Sequence, residues 1–230
     1  MKGYGQYCPI ALATEILGER WTILILREMM LGSTRFNDIH RGVPRMSPAL
    51  LSRRLTTLVN VGMAQRRRQG RHAEYLLSEA GQALAPTVLS LARWSKEWLP
   101  ASLSADRADP DLIMWDMHRR MNLDRMPMPR VVIRFEFTDQ PRTKRMRWII
   151  RDSDEIGLCL SDPGYDIDLY VQTDSFTVNL VWYGDLELTR ALDEKAIDLH
   201  GPQRLCDDFP SWLQLNMMAE VPRRTPPRRC

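Results

Sequence analysis

The chain has 230 residues, 44% hydrophobic and 27% charged, with a formal net charge of +3. This is an ordinary composition for a soluble globular protein and enough length for two modest domains. The most apolar early run, Trp21–Leu26, is stopped by Arg27 and is far too short to cross a bilayer. The four scattered cysteines (Cys8, Cys159, Cys206, Cys230) form no CxxC pair or Cys/His cluster with zinc spacing, so neither a metal centre nor a disulfide framework is expected.

Met1–Ile10 has no basic patch followed by an apolar stretch, so a secretory leader is not expected and a cytoplasmic location is. The small net charge hides an asymmetry. Residues 1–100 carry 14 Lys/Arg against 7 Asp/Glu, whereas residues 101–222 carry 14 against 22. A basic first half suits a polyanion; the acidic second half would be repelled by one and must do something else.

In chain order, Ile10, Ala13, Ile16 and Leu17 share one helical face, and a second helix over about Trp21–Leu31 ends before Gly32. Ser33 and Thr34 offer an N-cap for a helix over Phe36–Arg41, which Gly42 stops. Ser47-Pro48 starts another: a capping hydroxyl, then proline where its missing N–H costs nothing. Leu51, Leu55 and Leu58 line one face of that helix, and Gly62 ends it. Met63–Arg68 and Ala73–Leu77 flank Gln69-Gly70-Arg71 as a β-hairpin. Ser78 caps a long helix expected over about Glu79–Leu99.

The charge changes sign near residue 100, where 101–110 is small, polar and proline-bounded, and reads as a linker between domains at 1–100 and 111–221. The second domain reads as α+β. A helix is expected over about Asp111–Met121, then strands at Val131–Phe137, Met146–Ile150, Ile156–Leu160 and Ile167–Val171. Helices near Asp174–Trp182 and Leu188–Leu192, a strand near Ile197–Leu199 and a final helix over Arg204–Met218 complete it. Residues 222–230, rich in proline and arginine, read as a disordered basic tail.

Helix, turn, helix and hairpin in that order make a winged helix-turn-helix. The free N–H groups at Ser47 can hold a phosphate. Ala49, Leu50, Arg53, Thr56 and Thr57 lie opposite the leucine face, with Arg54 flanking and Arg45 just ahead of the helix. Arginine can pair with guanine in a major groove, and small or apolar groups can touch a thymine methyl. At the hairpin, Arg66, Arg67, Arg68, Arg71 and His72 suit phosphates or a minor groove. The bland reading of Arg53 and Arg54 is that they are solvated helix charges.

Several segments carry a family resemblance: Cys8-Pro9, Ile16-Leu17-Gly18, Arg20-Trp21, Leu26-Arg27-Glu28, Arg35-Phe36-Asn37-Asp38-Ile39, Met46-Ser47-Pro48, Leu50-Leu51-Ser52-Arg53-Arg54-Leu55 and Glu74-Tyr75-Leu76-Leu77-Ser78-Glu79-Ala80-Gly81. From Tyr7 to about Trp94 the chain resembles HxlR-type regulators, a branch of the MarR-like winged-helix proteins. The resemblance implies a transcriptional regulator, a homodimer joined through the first and last helices of the domain, and double-stranded DNA with a palindrome-like operator. Some members sense oxidants or electrophiles through a cysteine near the N-terminus, and Cys8 matches that position; the alternative is a small side chain filling the dimer contact.

Residues 112–219 show no catalytic or cofactor signature, and the protein is not expected to be an enzyme. Asp166 and Asp168 would share a strand face, as acid–base carboxylates or, more simply, a solvated edge. His40, His72, His118 and His200 are isolated. A weaker resemblance to sterol carrier protein type two-like domains rests on Trp148-Ile149-Ile150, Leu158-Cys159-Leu160, Asp162-Pro163-Gly164, Asp168-Leu169-Tyr170-Val171, Trp182-Tyr183-Gly184-Asp185, Gly201-Pro202 and Phe209-Pro210-Ser211-Trp212-Leu213. It implies a cavity for an apolar small-molecule effector, lined by Ile133, Phe135, Trp148, Ile150, Leu169, Phe176, Leu180, Trp182 and Trp212; the plain alternative is that these residues form the core. A lipid or small-molecule carrier with a basic, non-specific head is the competing function.

Overall fold

A computed structural model describes residues 3–70, 72–99, 102–103, 108–225 and 228–229. The chain divides into two compact units, Met1–Leu91 and Ala92–Cys230.

The first unit contains α1 (Pro9–Leu17), α2 (Thr22–Met30), α3 (Phe36–Gly42), α4 (Pro48–Asn60), β1 (Ala64–Gln69), β2 (His72–Leu77), α5 (Glu79–Ala83) and the start of α6 (Ala85–Trp98). Its core joins Ile25 and Leu26 of α2, Ile39 of α3, the three leucines of α4 and Ala64 of β1. Each such side chain contributes roughly 1.5–3 kcal/mol when buried, so the apolar spacing along α2 and α4 largely assembles the unit. The backbone N–H of Tyr75 donates to Thr34 O at 2.8 Å, and Arg35 forms a bridge with Glu74. The chain just ahead of α3 is thereby bridged to the edge of the hairpin, giving a winged helix-turn-helix.

The helix expected over Glu79–Leu99 is two helices. Pro86 has no N–H to offer the Gln82 carbonyl, so α5 closes in a tight turn, with Leu84 N–H donating to Gly81 O at 3.3 Å, before α6 starts.

The second unit holds α7 (Pro110–His118), a 3-10 turn (Leu123–Arg125), β4 (Arg130–Phe137), α8 (Arg142–Arg145), β5 (Met146–Asp152), β6 (Glu155–Cys159), β7 (Leu169–Thr173), α9 (Ser175–Trp182), α10 (Leu188–Asp193), β8 (Ile197–His200) and α11 (Gln203–Trp212). Two residue pairs, β3 (Ser102–Leu103) and β9 (Arg228–Arg229), run parallel to each other. The five-stranded sheet has the order β6-β5-β4-β7-β8; β4 and β7 are parallel and the other pairs antiparallel, so the sheet is mixed. Val131, Ile133, Phe135 and Phe137 of β4 point into one core with Ile113, Met114 and Met117 of α7, Val178, Val181 and Trp182 of α9, and Phe209 and Trp212 of α11.

Three expectations fail here. The last helix stops at Trp212, not Met218. Pro210 sits in its final turn, and the chain then pairs with the segment after α7: Asn122 N–H donates to Trp212 O at 2.7 Å, and Gln214 N–H to Arg120 O at 3.2 Å. Part of the expected 101–110 linker is also structured: Ser102–Leu103 form β3, and the Asp109 side chain caps α7 by accepting from Asp111 N–H at 3.1 Å; residues 101 and 104–107 lie outside the described residues. Finally, Arg223 and Arg224, assigned to a disordered tail, are held. Arg223 Nε donates to both carboxylate oxygens of Asp185 at 2.8 Å, and Arg224 pairs with Glu97 at 3.2 Å while lying over the Trp98 ring. Beyond Thr225 only 228–229 are described.

Candidate nucleic-acid interface

Ser47 adopts an extended backbone ahead of α4, and its Oγ accepts from Leu50 N–H at 3.3 Å, with Pro48 in the first helical turn. Leu51, Leu55 and Leu58 are buried, which fixes the helix rotation and turns Ala49, Ser52, Arg53 and Thr56 to the surface. Leu50 and Thr57 are half-buried at the margin. Thr57 donates its hydroxyl proton to Arg53 O at 3.1 Å, which ties it to its own helix. Arg45 is exposed in the turn ahead of α4.

Arg54 differs from its neighbour. Its guanidinium forms an ion pair with Glu19, and its side chain is only 13% exposed. This corrects its assignment to the DNA-facing set: α4's rotation places Arg54 toward the α1–α2 connection.

The wing is the β1–β2 hairpin, with Arg66 opposite Tyr75, Arg67 opposite Glu74 and Arg68 opposite Ala73. Gly70 turns it at φ +60°, a conformation that favours glycine. Arg66, Arg67, Arg68 and His72 are exposed, and Arg71 lies outside the described residues. A hollow of about 470 Å³ between the start of α3 and the wing is lined by Arg35, Arg41, Arg66, His72, Phe36 and Tyr75, among others. A second, of about 440 Å³, is lined by Arg66, Arg67, Arg68, His72 and Ala73. Arg35 and Arg41 were missed in the sequence. Their signal was charge bracketing α3, but only the bridge from Arg35 to Glu74 brings that helix start beside the wing.

The family described as HxlR-like helix-turn-helix matches residues 16–103. The HTH-type transcriptional regulator YvaP of Bacillus subtilis is 35% identical over 101 residues, covering 42% of this chain and 94% of that protein. The chain belongs to the HxlR-like helix-turn-helix family. The HTH-type regulator Mb3122 of Mycobacterium bovis is 43% identical over 97 residues, 40% of this chain, and the match spans only 59% of that relative's length. Among solved structures, the reduced form of the regulator YodB from B. subtilis is 29% identical, covering 40% of this chain and 93% of that one, with a TM-score of 0.36.

In the HxlR-like head, Cys8 is exposed at the N-cap of α1. The backbone N–H groups of Ala11 and Ile10 favour its thiolate and pull its pKa below the usual thiol range. Helix α1 buries none of its residues and exposes Ile10 and Leu12, with Tyr7 just ahead; α6 exposes Leu89, Leu91, Trp94 and Trp98.

The HxlR-like match ends at residue 103, so the second unit must be read from its own residues. The nine expected cavity residues do not line one space. Ile133, Phe135, Leu169, Trp182 and Trp212 belong to the packed core between sheet and helices. Within that core, the space bounded by Met117, Phe135, Trp182 and Phe209 amounts to about 10 Å³, well below one water's share of liquid volume. Ile133 pairs with Ile149, which shares the core face, so the alternating neighbours Trp148 and Ile150 project from the opposite face of β5. Phe176 and Leu180 are half-buried on α9, away from Val178, Val181 and Trp182, which face the core. The Asp168 carboxylate, paired in the sequence with Asp166, accepts from Val132 N–H at 2.8 Å, fastening the start of β7 to β4. His40 contacts Met46 O at 2.8 Å and His118 contacts Met114 O at 3.3 Å, local backbone partners in each case. Among the described residues no group of three or more His, Cys, Asp or Glu could hold a metal.

Proposed function

We propose that the protein is a sequence-specific regulator of transcription that binds double-stranded DNA as a homodimer, each HxlR-like head taking one half-site of a palindrome-like operator. One observation carries this reading: a capped α4, locked by three buried leucines, presents Ala49 and Arg53 outward beside a wing bearing Arg66, Arg67 and Arg68. Ala49 and Arg53 read bases, while Ser47, Arg45, the wing arginines and His72 hold the backbone. The exposed apolar residues of α1 and α6 are the natural seat of a second copy, because such patches rarely stay bare on a soluble protein. Among the described residues no helix is long and apolar enough to cross a membrane, and a cytoplasmic location fits the role.

Two modes of control go with this reading. The helix-terminal amides around Cys8 support its use as an oxidant-sensing thiol. A sterol carrier-like second unit is supported by its mixed sheet with helices packed against one face, and its part would be to sense an effector.

The test is capture of genomic fragments by the full chain, with retained fragments titrated against random DNA at near-physiological salt. A two-fold-related motif whose selectivity disappears in Arg53→Ala supports the regulator. Retention that ignores sequence and vanishes with modest salt leaves only a basic head, and favours the carrier.

A further inference from the structure

On the sheet face opposite the helices, five residues lie in register, one from each strand: Cys159, Trp148, Arg134, Tyr170 and His200. The Arg134–Tyr170–His200 end of this row borders a concavity of about 240 Å³, shared with Glu136 and Gln172. That is slightly below the roughly 300–1,000 Å³ of drug-sized sites, a volume for a small metabolite.

The polar groups there are held in place but incompletely satisfied. The guanidinium of Arg134 lies over the Tyr170 ring, 4.4 Å from its centroid, which orients the cation. Its Nε is buried with no hydrogen-bond partner among the described residues, as is the indole Nε1 of Trp148, the residue directly opposite on β5. Buried orphan donors are rare in folded proteins. Arg134 Nη2 stands 3.9 Å from Glu136 Oε2, beyond hydrogen-bonding range, and Arg145 Nε stands 3.8 Å from the other oxygen of the same carboxylate. At the rim, His200 pairs with Asp198 at 3.1 Å.

A cation and an anion thus stand side by side, neither hydrogen-bonded to the other and both open to a ligand from solvent. A simple carboxylate placed on Arg134 would face the charge of Glu136. A simple amine placed on Glu136 would face Arg134 and Arg145. Among charged ligands, one carrying both charges close together meets neither repulsion and gains an ion pair at each group. We propose that this concavity binds a free α-amino acid as its zwitterion. Its carboxylate pairs with Arg134 and its ammonium with Glu136, while its side chain lies toward Tyr170 and His200. The second unit would then sense a polar metabolite on the sheet face opposite the helices and not an apolar one inside its core. The inference is independent of DNA binding.

The test is calorimetric titration of the full-length protein with each standard L-amino acid. At least one should bind saturably, with affinity at least about tenfold lower for its amide and for its N-acetyl derivative, each of which lacks one charge. Arg134→Met should lower affinity by a similar factor. So should Glu136→Gln, which keeps the side-chain shape and should keep the unfolding midpoint, so a loss there is not a folding defect. No saturable binding by any amino acid up to about 10 mM, equal affinity for the singly charged derivatives, or affinity retained in a folded Glu136→Gln protein would overturn the proposal.

Discussion

The ammonium of Lys96 and the carboxylate of Asp185 meet at 2.9 Å with their side chains only 4% and 6% exposed. The single Nε–H of Arg223 is shared between both oxygens of the same carboxylate, and Arg223 Nη1 donates to Lys96 O at 3.2 Å. One buried anion therefore holds two cations at the end of α6. Asp185→Ala would leave both uncompensated, and breaking a buried pair in this way costs about 3–5 kcal/mol. The denaturation midpoint of the variant should fall accordingly. Lys96→Met should cost less, because burial already disfavours that ammonium and Asp185 keeps its arginine. Equal midpoints for wild type and Asp185→Ala would show that the cluster contributes nothing.

Arg53 and Arg54 should separate cleanly. Arg53→Ala is expected to leave the unfolding midpoint unchanged and remove about 1–3 kcal/mol of discrimination at one base pair of the operator. Arg54→Ala should lower the midpoint by breaking the pair with Glu19 and leave base preference intact. Binding-site selection on the two variants, run beside thermal melts, decides this; the reverse pattern would mean that α4 meets DNA in another rotation.

Gly81 is a packing requirement. A Cβ there would sit 2.1 Å from Met63 O, a carbonyl that accepts from Ser78 N–H at 3.1 Å. Gly81→Ala forces the wing's first strand away from α5, at a cost of about 1–3 kcal/mol for overpacking, partly offset by alanine's better helix propensity. The melting temperature should drop by several degrees, since 1 kcal/mol is roughly 4–8 °C in a domain of this size.

Cysteine chemistry should split by position. Helix-terminal N–H groups lower the Cys8 pKa, whereas burial and then the charge of Asp207 raise that of Cys206. Alkylation of Cys8 should therefore reach half its maximal rate below the ordinary thiol range of about 8.5, and Cys206 above it. Mass-spectrometric rates on each peptide across pH 6–10 would show it, and coincident profiles would remove the basis for Cys8 as a sensor.

Much of the head was legible because its signals are local. The Ser47-Pro48 cap, the three leucines of α4 and the turn at Gly70 are each written within a few residues, and backbone chemistry reads them at that range. Pro86 and Pro210 are equally local signals, but the apolar periodicity around them runs on past the points where the helices break. Tertiary structure alone decided which of two adjacent arginines is spent on Glu19, because that partner lies far back in the chain. It also decided that Trp148, though buried, and Ile150 face away from the helix-packed core: in a strand, a shift of one residue reverses the face, and only pairing of Ile133 with Ile149 sets that parity. The basic end of the chain reads as solvated when taken by itself. Arg223 becomes structural only because folding brings Asp185 and the end of α6 within reach of its guanidinium, and desolvated charges hold whichever partner the fold delivers.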